Sequence, residues 1–402
     1  MTKKLKLILI TLFAFAGVNA QNQASETKGE FKVSGYVQGQ FQAGEKAASL
    51  KVGTSNEDVE KSFNRIGIRS GYLKLVYKHD IVTTVFQFNA TEKGVGIKDA
   101  YINIEDPWIK SMALKVGLFN RPFGHEIGYS STKRESPERS VVVQTLFPEE
   151  RDLGGMLILQ APKGSGWESL KLEAGLFAGN GIKQETDSRK DFIGHLSYSK
   201  KLKNFSLGAG VSYYNGGVWQ GSSDVYRMDG NGFILDNNEN NKGKFAKREY
   251  YGLDAQLQLK SPIGSTLLNA EYLWGQQPAT ENSSKSPNAS TLPTSDTYIR
   301  LFNGGYVMLA QYIAKTPIAV VVKYDWYDPN KDVSGNSIGT NSTGKADIAV
   351  NTLGFGGIWE MNTNLRLQAY YEVNNNEKSS NLSGYGSNRK DNVFTLRLQY
   401  KF

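Results

Sequence analysis

Between positions 121 and 152 the chain carries Arg121, Lys133, Arg134, Arg139 and Arg151 beside Glu126, Glu135, Glu138, Glu149, Glu150 and Asp152. Guanidinium groups stay charged at physiological pH and meet phosphate or carboxylate oxygens through a planar fork of N–H donors. Arginines and lysines around an aqueous pore are how anion channels select. The carboxylates in the same stretch allow a second reading, in which the charges pair with one another and hold the segment in place. Residue types alone leave both open. Lys115, Arg366 and Arg397 stand on polar faces of alternating segments and extend the first reading. Those faces are mixed, because Asp99, Glu173, Asp254, Asp325 and Glu372 occupy equivalent positions.

Other chemistry is less well supported. His125, Glu126, Ser130 and Ser131 contain the types of a base, an orienting acid and a nucleophile. A triad is defined by geometry, not by adjacency, and the segment holds no second histidine; His125 reads better as a hydrogen-bonding loop residue. The acidic and amide run at 236–241 lacks the positioned glycine and distal glutamate of a calcium loop, so a solvated loop is expected there. The chain has no cysteine, and His79, His125 and His195 are far apart. Disulfides and thiolate metal sites are therefore excluded, and no cofactor or metal is expected.

Those side chains need elements to position them, and the last eleven residues show which kind. Phe394, Leu396, Leu398, Tyr400 and Phe402 alternate with Thr395, Arg397, Gln399 and Lys401. Alternate residues of a strand face opposite sides, so this is a strand with one apolar face. Similar segments recur at 31–43, 65–78, 81–90, 96–105, 112–120, 151–161, 169–178, 190–199, 205–214, 248–260, 265–274, 297–315, 318–327, 348–361 and 365–373. With the last strand at 392–402 they number sixteen. Short turns and long polar loops separate them in rotation. Tyr213, Tyr214, Trp219, Tyr250, Trp274, Tyr324, Trp326 and Trp359 gather near segment ends, where amphipathic rings meet lipid headgroups.

The pattern predicts an all-β fold: a transmembrane antiparallel barrel of about sixteen strands. An even count puts both termini on one side, expected to be the periplasm, with the first and last strands paired. A barrel this wide leaves an aqueous channel, and the 121–150 segment is placed to fold into it and narrow it. Lys3, Lys4 and Lys6, the apolar run 7–18 and the Ala16–Ala20 cleavage pattern read as a secretory signal peptide over 1–20. A short lead-in (21–30) and one barrel domain (31–402) follow. Removing the three leader lysines lowers the net charge from +8 to +5, scattered along the chain, which argues against nucleic-acid binding.

A resemblance carries the reading further. The run Lys115-Val116-Gly117-Leu118-Phe119-Asn120-Arg121-Pro122-Phe123-Gly124-His125-Glu126 is similar to a strand-to-loop motif of the phosphate-selective porin O and P family. Glu138-Arg139-Ser140 and Arg151-Asp152-Leu153-Gly154-Gly155 sit where that family carries short motifs of the same kind. The resemblance implies a trimeric outer-membrane porin of a Gram-negative bacterium, not an enzyme, with the third external loop folded into the lumen. Its partners would be inorganic anions such as phosphate or polyphosphate, and outer-membrane lipid. No basic run as dense as that family's lining occurs here, so a general anion preference is the expectation. The alternatives are a non-conducting adhesin barrel that binds a partner through its long loops, and an outer-membrane hydrolase.

Overall fold

The computed structural model describes residues 29–286 and 293–402. The expected signal peptide, and all but the end of the lead-in, lie outside the described residues. Nine strands run in succession through the first half: β1 (Glu30–Gly44), β2 (Phe63–His79), β3 (Val82–Thr91), β4 (Gly94–Glu105), β5 (Met112–Asn120), β6 (Arg151–Gln160), β7 (Leu170–Phe177), β8 (Asp191–Lys201) and β9 (Phe205–Trp219). A hairpin follows, β10 (Asp224–Asp229) and β11 (Gly232–Asn237). The wall then continues through β12 (Phe245–Ser261), β13 (Gly264–Ala279), β14 (Thr297–Ile313), β15 (Ile318–Asp328), β16 (Val350–Glu360), β17 (Leu365–Asn376) and β18 (Val393–Lys401).

Each wall strand pairs antiparallel with the next, and β9 pairs with β12, skipping the hairpin. β18 pairs with β1 from Tyr36↔Lys401 to Gly44↔Val393, which closes the barrel at sixteen strands. Gly35 and Phe402 exchange two backbone hydrogen bonds of 3.0 Å, so the two ends of the described chain sit together. A closed barrel leaves no unpaired strand edge, the condition for backbone to lie in hydrocarbon.

The terminal strand behaves as its alternation predicts. Arg397 is 3% exposed and Leu398 47%. The same division runs round the wall: Ile68, Phe86, Ile102, Leu157, Leu196, Val211, Leu253, Tyr272, Val320 and Phe355 all face outward. An apolar belt of that extent far exceeds what a soluble surface tolerates. It matches the lipid-facing band of a transmembrane barrel.

Two departures from the sequence reading concern the long loops. The 215–247 stretch was expected to be a solvated loop, yet β9 and β12 stay paired out to Trp219 and Phe245, and β10–β11 forms a hairpin within it. β10 adds in parallel to the start of β14, and Tyr226 stacks on Tyr298 at 4.2 Å. Asn215-Gly216-Gly217 breaks the apolar alternation there, so only the cross-strand partner shows that the strand continues. The loop between β3 and β4 is, conversely, a tight turn at 92–93.

A third departure concerns the interior. Inward residues were expected to be polar all round. Instead Phe119, Met156, Phe177, Ile193, Tyr214, Tyr250, Leu273, Phe302 and Tyr327 point inward from β5–β9 and β12–β15. They pack with Phe123, Ile127, Val142, Val143, Leu146 and Phe147 of the 121–150 segment as one apolar core. Each large side chain so buried contributes about 1.5–3 kcal/mol. A second inward apolar cluster, Tyr306, Met308, Ala310, Val321 and Tyr370, lies on β14, β15 and β17, while Gln38, Gln40, Gln42, Gln368, Thr395 and Gln399 keep the expected polarity on β1, β17 and β18.

Candidate functional site

The 121–150 segment lies inside the barrel, held by side chains projecting inward from most of its circumference. At its root, the Gly124 amide donates to Ser212 Oγ (2.8 Å), and the His125 and Glu126 amides donate to Glu271 (3.2 and 2.9 Å). A short helix, α1 (Val141–Leu146), begins at Ser140, whose amide and hydroxyl both donate to the Glu126 carboxylate. Lys323 Nζ donates to the same carboxylate at 2.9 Å, and the Val141 amide to Asp325 at 3.1 Å. The opposite flank is held from β17, β18 and β1. Arg366 reaches the carbonyls of Thr132 and Arg134 (both 3.2 Å), Arg397 that of Pro137 (2.7 Å), and Tyr36 meets Ser131 at 2.6 Å. The core on one side and these bonds on the other fix the segment across the lumen.

Two aqueous spaces remain beside it. The larger, about 510 Å³, runs between the segment and the inner faces of β1–β4. Eight basic side chains line it (Lys51, Arg69, Lys74, Lys98, Arg134, Arg139, Arg151 and Arg397) against four acidic ones, Asp99, Glu138, Glu149 and Glu150. The smaller, about 310 Å³, opens beneath the segment among Lys133, Glu135, Tyr312, Glu360, Arg366 and Lys401. Tyr129 borders both.

The residues singled out from the sequence divide sharply. Arg121 is buried, paired to Asp152 at 3.1 Å and seated over the Phe147 ring; it braces the ends of the segment and borders neither space. Arg139 pairs with Glu150 and donates to the carbonyls of Glu126 and Ile127. Arg151 bridges Asp99 (2.9 Å) and Glu150 (3.0 Å). Arg366 pairs with Glu360 at 2.7 Å, and Arg397 with Glu138 at 2.6 Å. Lys115 lies over the Tyr101 and Phe119 rings, 4.9 and 5.4 Å from their centroids. Arg134 meets no carboxylate and donates to the carbonyls of Ser136 and Pro137. Lys133 is exposed on the smaller space. For Arg121, Arg139, Arg151, Arg366 and Arg397, then, the pairing reading describes the geometry.

The electrostatics of the segment follow from those pairs. Burial pushes the Glu138 carboxyl up, but Arg69 and Arg397 together hold it well below the usual carboxylate range. Burial likewise opposes ionisation of Glu150, and Arg139 and Arg151 outweigh it, bringing the group to about 2. Burial lowers Arg134 to about 10, helped by repulsion from Arg139. A guanidinium with that value is still charged at neutral pH.

The hydrolytic grouping does not assemble. Ser130 bonds Thr132 (2.9 Å) and Ser131 bonds Tyr36, while His125 packs against the Tyr129 ring at 5.0 Å. Glu126, its neighbour in sequence, is engaged by Ser140 and Lys323. In the 236–241 run, Asn237 bonds Asp224 and Asn241 bonds the carbonyls of Ser223 and Asp236, so these groups tie off the β10–β11 hairpin.

The architecture is shared with known proteins. The outer membrane channel DcaP of Acinetobacter baumannii superposes with a TM-score of 0.56 at 14% identity, over 93% of this chain and 97% of that one. OprB of Pseudomonas putida gives 0.56 at 12% identity, over 92% and 94%. The trimer form of OmpT, an outer membrane protein of Vibrio cholerae, gives 0.53 at 10%, over 93% and 99%. The chain has the fold of an outer-membrane channel. No family model and no curated protein matches the sequence.

Within that channel fold, the lining residues that sequence reasoning missed are Lys51, Arg69, Lys74 and Lys98. Lys74 was within reach, since it shares the polar parity of its strand with Ser70 and Tyr72. Lys51 comes from the loop after β1, where no periodicity marks which side chains turn inward. Arg69 and Lys98 sit at register shifts: Gln38↔Ser70 is followed by Gly39↔Ile68, and Gln87↔Asp99 by Phe88↔Ile97. The skipped residue at each is an added lumen residue that alternation does not reveal.

Proposed function

We propose that this chain is a porin of a Gram-negative outer membrane, passing small hydrophilic solutes by passive diffusion with a preference for anions. The observation that carries it is the passage beside the 121–150 segment, where basic side chains outnumber acidic ones two to one within a channel-fold barrel. Clefts lined by one sign of charge concentrate the opposite ion. The short motifs around Lys115–Glu126 support placement near the phosphate-selective porins, with phosphate and polyphosphate-like solutes among the permeants. On this reading Lys133 and Arg134 border the ion path without a carboxylate partner, Arg139, Arg151 and Arg397 border it as ion pairs, and Arg121, Lys115 and Arg366 hold its walls. Residues 1–20 are a leader, 31–402 form the barrel domain, and both termini lie in the periplasm. The trimer form of the Vibrio cholerae neighbour supports a homotrimer, which migration of unheated protein on a denaturing gel would reveal.

Reversal potentials across a KCl gradient in planar bilayers test the reading. An anion-directed potential is expected. A cation-directed one rejects the anion preference, and absence of any conductance favours the surface-binding barrel.

A further inference from the structure

Lys98 faces the lumen because of a single irregularity. On β4 the outward set is Ile97, Ile102 and Ile104, and the inward set includes Asp99, Tyr101 and Asn103. The register slip opposite Gln87 and Phe88 leaves Lys98 as the extra residue. Consequently Lys98 and Asp99, although adjacent in sequence, both line the larger passage. The bulge on β2 does the same for Arg69 and Ser70. Each bulge adds one basic side chain to the wall opposite the constriction segment.

The two added cations are used differently. Arg69 donates through Nε and Nη2 to both oxygens of Glu138, at 2.8 and 2.7 Å, so that edge of its fork is engaged and its charge is paired. Lys98 forms no ion pair among the described residues, and neither do Lys74 and Lys51. Asp99, the nearest carboxylate in sequence, is held by Arg151. The remaining guanidiniums on the passage repeat the case of Arg69. Arg139, Arg151 and Arg397 are each paired to carboxylates. Arg134 has committed Nε and Nη2 to carbonyls and retains only Nη1 without a partner. That nitrogen is buried from solvent, so Arg134 offers no open fork to an oxyanion in the passage.

We propose that Lys51, Lys74 and Lys98, rather than the arginines, determine selectivity. The passage therefore ranks anions by charge and size and not by oxyanion geometry. The physical ground is the difference between the two cations. An ammonium is a compact, hydrated point charge that attracts any anion, whereas discrimination for a planar or tetrahedral oxyanion needs the open fork of a guanidinium. Chloride, a small carboxylate and phosphate of equal charge should then be admitted alike. The inference rests on the anion-channel reading and narrows its substrate class.

Purified full-length protein in planar bilayers provides the test. Each of Lys51→Gln, Lys74→Gln and Lys98→Gln should lower the anion-to-cation permeability ratio by about threefold. The triple variant should be close to unselective, and Lys98→Arg should retain the wild-type ratio. With chloride on one side and dihydrogen phosphate or acetate on the other, the wild type should show permeabilities within about threefold of one another once corrected for ion mobility. An unchanged reversal potential in the triple variant overturns the proposal. So does a wild type that favours phosphate over chloride tenfold or more. A wild type with a cation-directed potential in the KCl gradient overturns the anion preference on which the proposal rests, and one with no current overturns the channel reading; both are read in KCl alone, before any variant or second anion is used.

Discussion

Glu138 ties the constriction segment to both β2 and β18, and Glu138→Gln separates its two effects. The side chain is 6% exposed and receives three donors, two from Arg69 and one from Arg397. Removing one partner of a buried pair typically costs about 3–5 kcal/mol, because the survivor is left charged and unpaired. The glutamine carbonyl still accepts one hydrogen bond and the passage holds water, so the lower end of that range applies. The second effect is on permeation: the lining changes from four acidic groups to three. A unit charge about 6 Å from a passing ion is worth about 0.7 kcal/mol in a water-like dielectric, which salt screening roughly halves; acting with opposite sign on anion and cation, it converts to roughly a threefold change in permeability ratio. The variant should therefore be less heat-stable yet more anion-selective. Reversal potentials in a KCl gradient measure the second, and the temperature at which unheated protein loses its folded gel mobility measures the first. A lower or unchanged anion preference in a folded variant would refute the assignment of Glu138 to the passage wall.

Acid should act in the same direction at Glu150. Its folded value of about 2 lies below the ordinary 4.5, so its contribution to stability is complete above about pH 4.5 and is lost as pH falls toward 2; the gap in melting temperature between the wild type and Glu150→Gln should persist down to about pH 4.5 and close below it, and a gap that closes near pH 6 would contradict this. Glu271→Leu removes the acceptor for the His125 and Glu126 amides, each costing about 1–3 kcal/mol if left unmet. Single-channel recordings should become noisier as the root of the segment loosens, and a variant trace as quiet as that of the wild type would count against that anchoring role. A Cβ at Gly304 would lie 2.8 Å from both Trp326 O and Val142 Cγ2 of helix α1. Gly304→Ala should accordingly destabilise the barrel by about 1–3 kcal/mol through overpacking, and an unchanged melting temperature would contradict the docking.

Much of the wall was legible in the chain. Alternation in segments such as 365–373 and 392–402 marks which side chains meet lipid, because a strand in a membrane must keep one face apolar along its whole length. Segment boundaries were least legible at the outer ends of β9 and β12, where glycines and asparagine interrupt the pattern while backbone pairing continues. The constriction segment was recognisable by length and charge, but the roles of its charges were not. Arg121 and Arg134 look equivalent in the sequence; one is locked to Asp152 and the other meets only carbonyls.

Local periodicity, then, suffices for the class of fold, the strand count and the outward face, since each depends on neighbours two residues apart. The content of the lumen depends on partners from across the barrel. Whether inward Phe177 or Tyr250 borders water or a core is decided by the segment folded against it. Whether an arginine is free to meet a solute is decided by a carboxylate up to 259 residues away, as Arg397 and Glu138 show. Lys98 adds a third kind of case, in which one extra residue in a strand turns a charge into the passage. A bulge is a relation between two strands, and it takes shape only when both are in place.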